Sequence, residues 1–138
     1  MSTRRQATLA LLAVTLVPVA RAAEPALEAA LRAWAGDAVP REGRVTIEIA
    51  ELVENGNAVP VSVRAEGPVT ELALFNERNP QRDVLRARFG PLSGPARLST
   101  RIRLATSQRL VALARMQDGS VWKREVEVLV TLAACVEG

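Results

Sequence analysis

Histidine is absent from this 138-residue chain, and cysteine occurs once, at Cys135. Without histidine the usual general base, the usual zinc ligand and the usual activating partner of a nucleophilic serine or cysteine are all missing. A single cysteine cannot close an internal disulfide. In an oxidising compartment such a thiol is either joined to another molecule or put to chemical use. The eight glycines are too scattered to form a phosphate-cradling loop. Nor does the apolar stretch 7–19 make a membrane anchor, because Thr8, Thr15 and Pro18 interrupt it and it falls short of the ~20 residues a bilayer requires. Most enzyme classes are hard to build from what remains.

What that stretch does resemble is the core of an export leader. The chain opens MSTRRQATLALLAVTLVPVARAAEP, with Arg4 and Arg5 ahead of an uncharged run and small residues around Ala20 and Ala22. Cleavage is expected after Ala22 or Ala23, so that residues 1–22 are a removed signal peptide and the mature protein is exported. No cysteine follows that point to carry a lipid anchor. The arginine pair fits twin-arginine export of folded cargo, although Ala7 and Thr8 occupy positions where that signal prefers Phe and Leu. The ordinary secretory route stays open.

Of the 18 basic residues, Arg4, Arg5 and Arg21 lie in the leader, while all 15 acidic residues lie beyond it, so the mature chain is electroneutral. Its precursor's basic balance therefore gives no argument for nucleic acid, which selects a persistent cationic footprint. The charges are unevenly spread: residues 42–77 hold seven acids and two arginines, and residues 78–109 hold eight arginines and one acid, Asp83. That asymmetry predicts two faces of opposite sign.

The ~115 residues left after cleavage suit one domain able to bury a core without metal or disulfide. Leu27, Ala30, Leu31 and Trp34 recur at helical spacing before Gly36, which predicts a short N-terminal helix and a linker over 23–43. After it the period changes to two. Runs at 45–49, 59–63, 69–75, 84–89, 98–104, 110–116 and 121–132 are separated by ENGN, NP, GP, SGP and DGS breakers. About seven strands without alternating helices predict an all-β, immunoglobulin-like antiparallel sandwich over 44–132, with residues 133–138 as a C-terminal arm.

Among candidate chemical groups, Glu48, Glu125 and Glu127 alternate with apolar residues, and a solvated strand face accounts for them better than acid–base catalysis does. Arg86 and Arg88, like Arg101 and Arg103, are spaced by two and turned from the core. If their strands lie close, these four form a cationic patch for an oxyanion or an acidic partner; a solvated face balanced by acids is the plainer account. Trp34 and Trp122 read as core anchors. Cys135 follows the last strand without a packing pattern around it, and either a functional or an incidental terminal thiol fits that position.

The stretches LVENGNAVPVSV (52–63), FNERNP (75–80), STRIRLATSQRLVALARMQDGS (99–120) and VTLAACVEG (130–138) together resemble SoxY, the sulfur-carrying subunit of the periplasmic thiosulfate-oxidation system. The resemblance spans nearly all of the mature chain. It implies a carrier and not an enzyme, with no cofactor of its own, holding substrate covalently on Cys135. It also implies a SoxZ-like partner subunit in a heterodimer, and separate oxidation enzymes such as a c-type cytochrome and a hydrolase. SoxY proper ends in GGCGG, whereas the arm here is Ala133, Ala134, Cys135, Val136, Glu137 and Gly138, similar to a SoxY-related branch ending in AACIE. Alanine and β-branched valine narrow the arm's conformations. Glu137 and the terminal carboxylate place negative charge beside the sulfur. A free thiol ionises near ~8.5, so activation of Cys135 is expected from a partner's pocket. Two alternatives stand beside thiosulfate: a carrier in another, quinoprotein-linked periplasmic oxidation, and an interaction domain linked by an intermolecular disulfide.

Overall fold

A computed structural model of the chain describes residues 25–131. The expected leader over 1–22 and the arm residues Ala133, Ala134, Cys135, Val136, Glu137 and Gly138 lie outside the described residues.

Helix α1 (Pro25–Ala35) is followed by nine strands: β1 (Arg41–Glu42), β2 (Val45–Glu48), β3 (Leu52–Val53), β4 (Val59–Ala65), β5 (Val69–Asn76), β6 (Asp83–Arg88), β7 (Ala96–Ile102), β8 (Gln108–Met116) and β9 (Val121–Val130). The helix starts with Pro25 in its first turn, where a missing N–H costs nothing. It stops at Gly36, whose φ of 65° permits its amide to bond back to the Arg32 carbonyl at 2.9 Å. Seven strands match the runs expected from period-two patterning. The other two, β1 and β3, have two residues each.

The strands form two sheets, one in the order β1-β9-β8-β5-β6 with β3 also on β9, the other in the order β2-β4-β7. Together they make an immunoglobulin-like β-sandwich. It is not antiparallel throughout, since β1 and β3 both pair parallel to β9. Those segments are stretches of connection laid along the edge of β9, one entering β2 and the other leading from β2 toward β4. The ENGN turn accordingly closes no tight hairpin: β2 and β4 pair from Val45↔Ala65 to Glu48↔Ser62, and the residues between them detour through β3.

Side chains alternate across the central strands into two cores. Leu72 and Leu74 of β5 and Leu110, Ala112 and Ala114 of β8 fill the space between the sheets with Val59, Val61 and Val63 of β4. Ala73, Phe75, Val111, Leu113 and Val121 project from the opposite face and are covered by Leu27, Trp34 and Ala35 of the helix. Burial on both faces explains why β8 reads LVALA without polar alternation. Leu27 is fully buried, worth about 1.5–3 kcal/mol against exposure, so the helix is a third layer of the fold.

Candidate functional site

Strand β9 carries the chain toward Cys135, and its last rungs are held from both sides. On one side the Leu129 amide donates to the Glu51 carbonyl at 2.8 Å and the Thr131 amide to the Val53 carbonyl at 2.9 Å. On the other, the β8 ladder ends at Gln108↔Val128. Beyond it a side chain takes over: the Val130 amide donates to Ser107 Oγ at 2.8 Å. Val128 and Val130 are buried in the sandwich core. Strand β9 is thus held from both sides through Thr131. Cys135 is four residues further, a span of at most ~14 Å when extended.

Three loops surround this end of the sandwich. The turn at Gly56 meets the loop after β7, where the Leu104 amide donates to the Gly56 carbonyl at 2.8 Å. A Cβ at position 56 would lie 2.2 Å from the Leu104 oxygen, so only glycine fits. Asn79 joins the third loop to the second. Its Nδ2 donates to the Arg103 carbonyl at 2.6 Å, and its Oδ1 accepts from Gln108 Nε2 at 2.8 Å and from the Ala105 amide at 3.3 Å. Gln108 is buried, and its Oε1 accepts from the Arg78 amide at 3.0 Å. Asn76, also buried, accepts from the Asn79 amide at 2.9 Å and donates to the Gln81 carbonyl at 2.7 Å. These buried polar groups are satisfied by one another, which fixes the loop as a unit.

Leu52 and Leu129, opposite each other in the β3–β9 register, are both more than half exposed at this same end. Among the described residues, no three His, Cys, Asp or Glu side chains come together as a metal site, and no helix is long and apolar enough to cross a membrane. Asp118, in the β8–β9 turn at the opposite end, has a lowered pKa. The Ser120 hydroxyl and amide hold it below its ordinary value, with help from the charge of Arg44.

Cys135 is the residue where the comparisons with known proteins bear hardest. The family model for the sulfur oxidation protein SoxY matches residues 31–135, a range that runs through the whole sandwich and ends on this cysteine. The chain belongs to the SoxY family. Among solved structures it is similar to the sulfur carrier protein SoxY from Chlorobium limicola f thiosulfatophilum. That chain is 29% identical, covers 76% of this chain and 96% of its own, and superposes with a TM-score of 0.69. A superoxide reductase (neelaredoxin) from Ignicoccus hospitalis is 19% identical over 63% of this chain and 79% of its own, with a TM-score of 0.57. The hypothetical protein PH1083 from Pyrococcus horikoshii OT3 is 18% identical over 64% and 95%, with a TM-score of 0.54. The last two share the fold alone. No curated protein matches the chain.

The SoxY sandwich separates the two arginine pairs. Arg86 and Arg88 are on β6, where Arg86 Nε lies 2.6 Å from Asp83 and Arg88 Nε 3.8 Å from Glu71. Arg101 and Arg103 belong to the other sheet and the loop that follows it, and line a cleft of about 420 Å³ with Asn79 and Gln81. Arg86 and Arg101 border a common cleft at the open edge between β6 and β7. In the larger sheet the expected division into an acidic and a basic face gives way to interleaved charges. Acidic β5 pairs between arginine-bearing β6 and β8, so Glu71 reaches both Arg88 and Arg115, the latter at 4.0 Å.

The glutamates singled out from sequence sit in charge-paired surroundings. Glu48 is 3.7 Å from Arg64, Glu125 is 3.5 Å from Arg109 and 3.7 Å from Lys123, and Glu127 faces Arg109 in the ladder. Trp34 is buried in the helix-side core, with the Arg115 guanidinium 4.6 Å from its ring. Trp122 is only partly buried, and Arg44 stacks on it at 4.6 Å. Sequence reasoning missed Ser107, Asn79 and Gln108. Asn79 stood inside the FNERNP motif, but no local pattern marks a serine as a substitute rung of a sheet.

Proposed function

We propose that this SoxY-family chain is a periplasmic carrier, not an enzyme, and that Cys135 holds a sulfur-containing intermediate of thiosulfate or sulfur oxidation covalently. The observation that carries this reading is the family match running to Cys135, joined to a strand root clamped immediately before it. A carrier needs a fixed body and a short reach into other proteins' sites, and Ala133, Ala134, Val136, Glu137 and Gly138 around Cys135 are the arm that makes that reach. The absence of histidine suits a chain that leaves proton transfer to its partners. Those partners are a SoxZ-like subunit in a heterodimer, a c-type cytochrome as oxidant and a hydrolase.

In the loading step, the Cys135 thiol and the sulfane sulfur of thiosulfate together give two electrons to the oxidant. The thiol proton leaves and an S–S bond forms. Water then attacks the sulfonate sulfur under the hydrolase, the bond between the outer disulfide sulfur and the sulfonate breaks, sulfate departs, and one sulfur remains on Cys135 as a persulfide. Further oxidation and hydrolysis of that sulfur return the thiol.

The test is intact mass of the C-terminal peptide from protein taken from substrate-grown cells. Sulfur or sulfonate increments on Cys135, lost in Cys135→Ser with the fold unchanged, are the expected outcome. A bare thiol throughout, or a disulfide to a second chain, refutes the sulfur carrier and favours the interaction domain. An increment without sulfur directs the carrier to another oxidation pathway.

A further inference from the structure

The outer face of the three-stranded sheet carries arginines that, except for Arg64, have no acidic partner among the described residues. Arg64 on β4 and Arg97 and Arg101 on β7 are exposed, alternating with the buried Val61, Val63, Ala96 and Ile102. Arg103 is exposed just past the end of β7. Arg64 and Arg97 stand directly opposite each other in the register, with a hydroxyl pair, Ser62 to Ser99 at 2.7 Å, two residues along. Like charges directly opposite across two strands destabilise a sheet. One acid, Glu48, relieves Arg64 at 3.7 Å. Among the described residues Arg97, Arg101 and Arg103 have no acid within ion-pair distance, while on the other sheet Arg86, Arg88 and Arg115 each have one and Arg109 has two, Arg124 standing alone there.

We propose that this face is a docking surface for an acidic patch on another protein, and that β7 leads that protein to the end of the sandwich from which the arm departs. Its polar centre of Ser62 and Ser99, flanked by Arg64, Arg97 and Arg101 with Glu48 at the β2 side, complements a shallow carboxylate-bearing surface. The chain beyond the leader is electroneutral, so a polyanion finds no general field to follow, and the attraction is confined to this patch. Direction comes from Arg101 and Arg103, which line the cleft beside the Asn79 loop at the arm's end. That the docked protein works on Cys135 rests on the carrier reading; the docking itself does not.

The experiment is a titration of the full mature chain with poly-L-glutamate, followed by backbone amide NMR at low salt. Shifts are expected at Ser62, Arg64, Arg97, Ser99 and Arg101. Affinity should fall about tenfold in Arg97→Gln/Arg101→Gln, and stay within about twofold in Arg86→Gln/Arg88→Gln, which loses the same charge elsewhere. Relief of the opposed pair should also raise the Tm of Arg97→Gln. Equal weakening by the two double variants, shifts elsewhere, or a lowered Tm overturns the proposal. Tighter binding to single-stranded DNA or to phosphatidylglycerol vesicles also overturns it. The mass of Cys135 in cells decides the carrier reading separately: a bare thiol there sinks the carrier and leaves the titration result standing.

Discussion

Replacing Ser107 by alanine removes one oxygen from the root of the arm and leaves the backbone in place. The lost contact is the 2.8 Å bond from the Val130 amide; the hydroxyl's return bond to the Val130 carbonyl, at 3.4 Å, is long and adds little. Val130 is 8% exposed, so its amide has no ready water to replace the serine. A buried donor left unsatisfied costs about 1–3 kcal/mol. Water entering from the open end of the strand offsets part of that, which places the effect at about 1–2 kcal/mol and the loss in population of the closed root at about 5–30-fold. Native-state amide exchange reads this directly. Val130 should exchange faster by that factor in Ser107→Ala, while Leu72 and Leu113 in the sheet centre change only by the global loss. Ser107→Thr keeps the hydroxyl and should behave as the parent. If Val130 exchanges equally in the alanine and threonine variants, the side chain is no rung of the sheet and the two-sided hold on β9 argued above is wrong.

Gly56→Ala should destabilise by about 1–3 kcal/mol or more, because the added Cβ meets a backbone oxygen that cannot turn aside; the denaturant midpoint with unchanged m-value measures it. Asn79→Ala takes one bond from Gln108, which keeps the Thr106 carbonyl and the Arg78 amide, and removes the side-chain partner of the Arg103 carbonyl and the Ala105 amide, so it should lower stability by about 1–3 kcal/mol. Amide exchange should locate that loosening in residues 76–82 and 103–108. Asp118 gives a pH signature. Its carboxyl is held below the ordinary 3.8, so its contribution is complete above that value and disappears as pH falls through the lower folded-state pKa. The stability difference between the parent and Asp118→Ala should therefore be constant from pH 7 to 5 and shrink in acid. A difference that grows in acid would contradict the assigned Ser120 bonds.

Local patterning was enough to place the helix, since Leu27, Ala30, Leu31 and Trp34 share a face and Gly36 supplies its stop. It also placed seven strands, because alternation reports which side of a strand meets a core. The lone thiol without a base was equally plain, being a matter of composition. What sequence could not supply was neighbourhood. Strands β1 and β3 have two residues each, too few to carry a period, and exist because β9 offers them an edge. Ser107, Asn79 and Gln108 become structural only when loops 23 to 29 residues apart are brought together. The same holds for the arginines: spacing by two turned each pair outward and Arg86 meets Asp83 within its own strand, but sheet order decided that Arg88 would meet Glu71, and that Arg97 would face Arg64. A residue's own segment fixes its side of the strand, whereas register and strand order arise from packing between distant segments. Those non-local contacts determined that Glu71 would serve both Arg88 and Arg115, while Arg97 was set against another arginine.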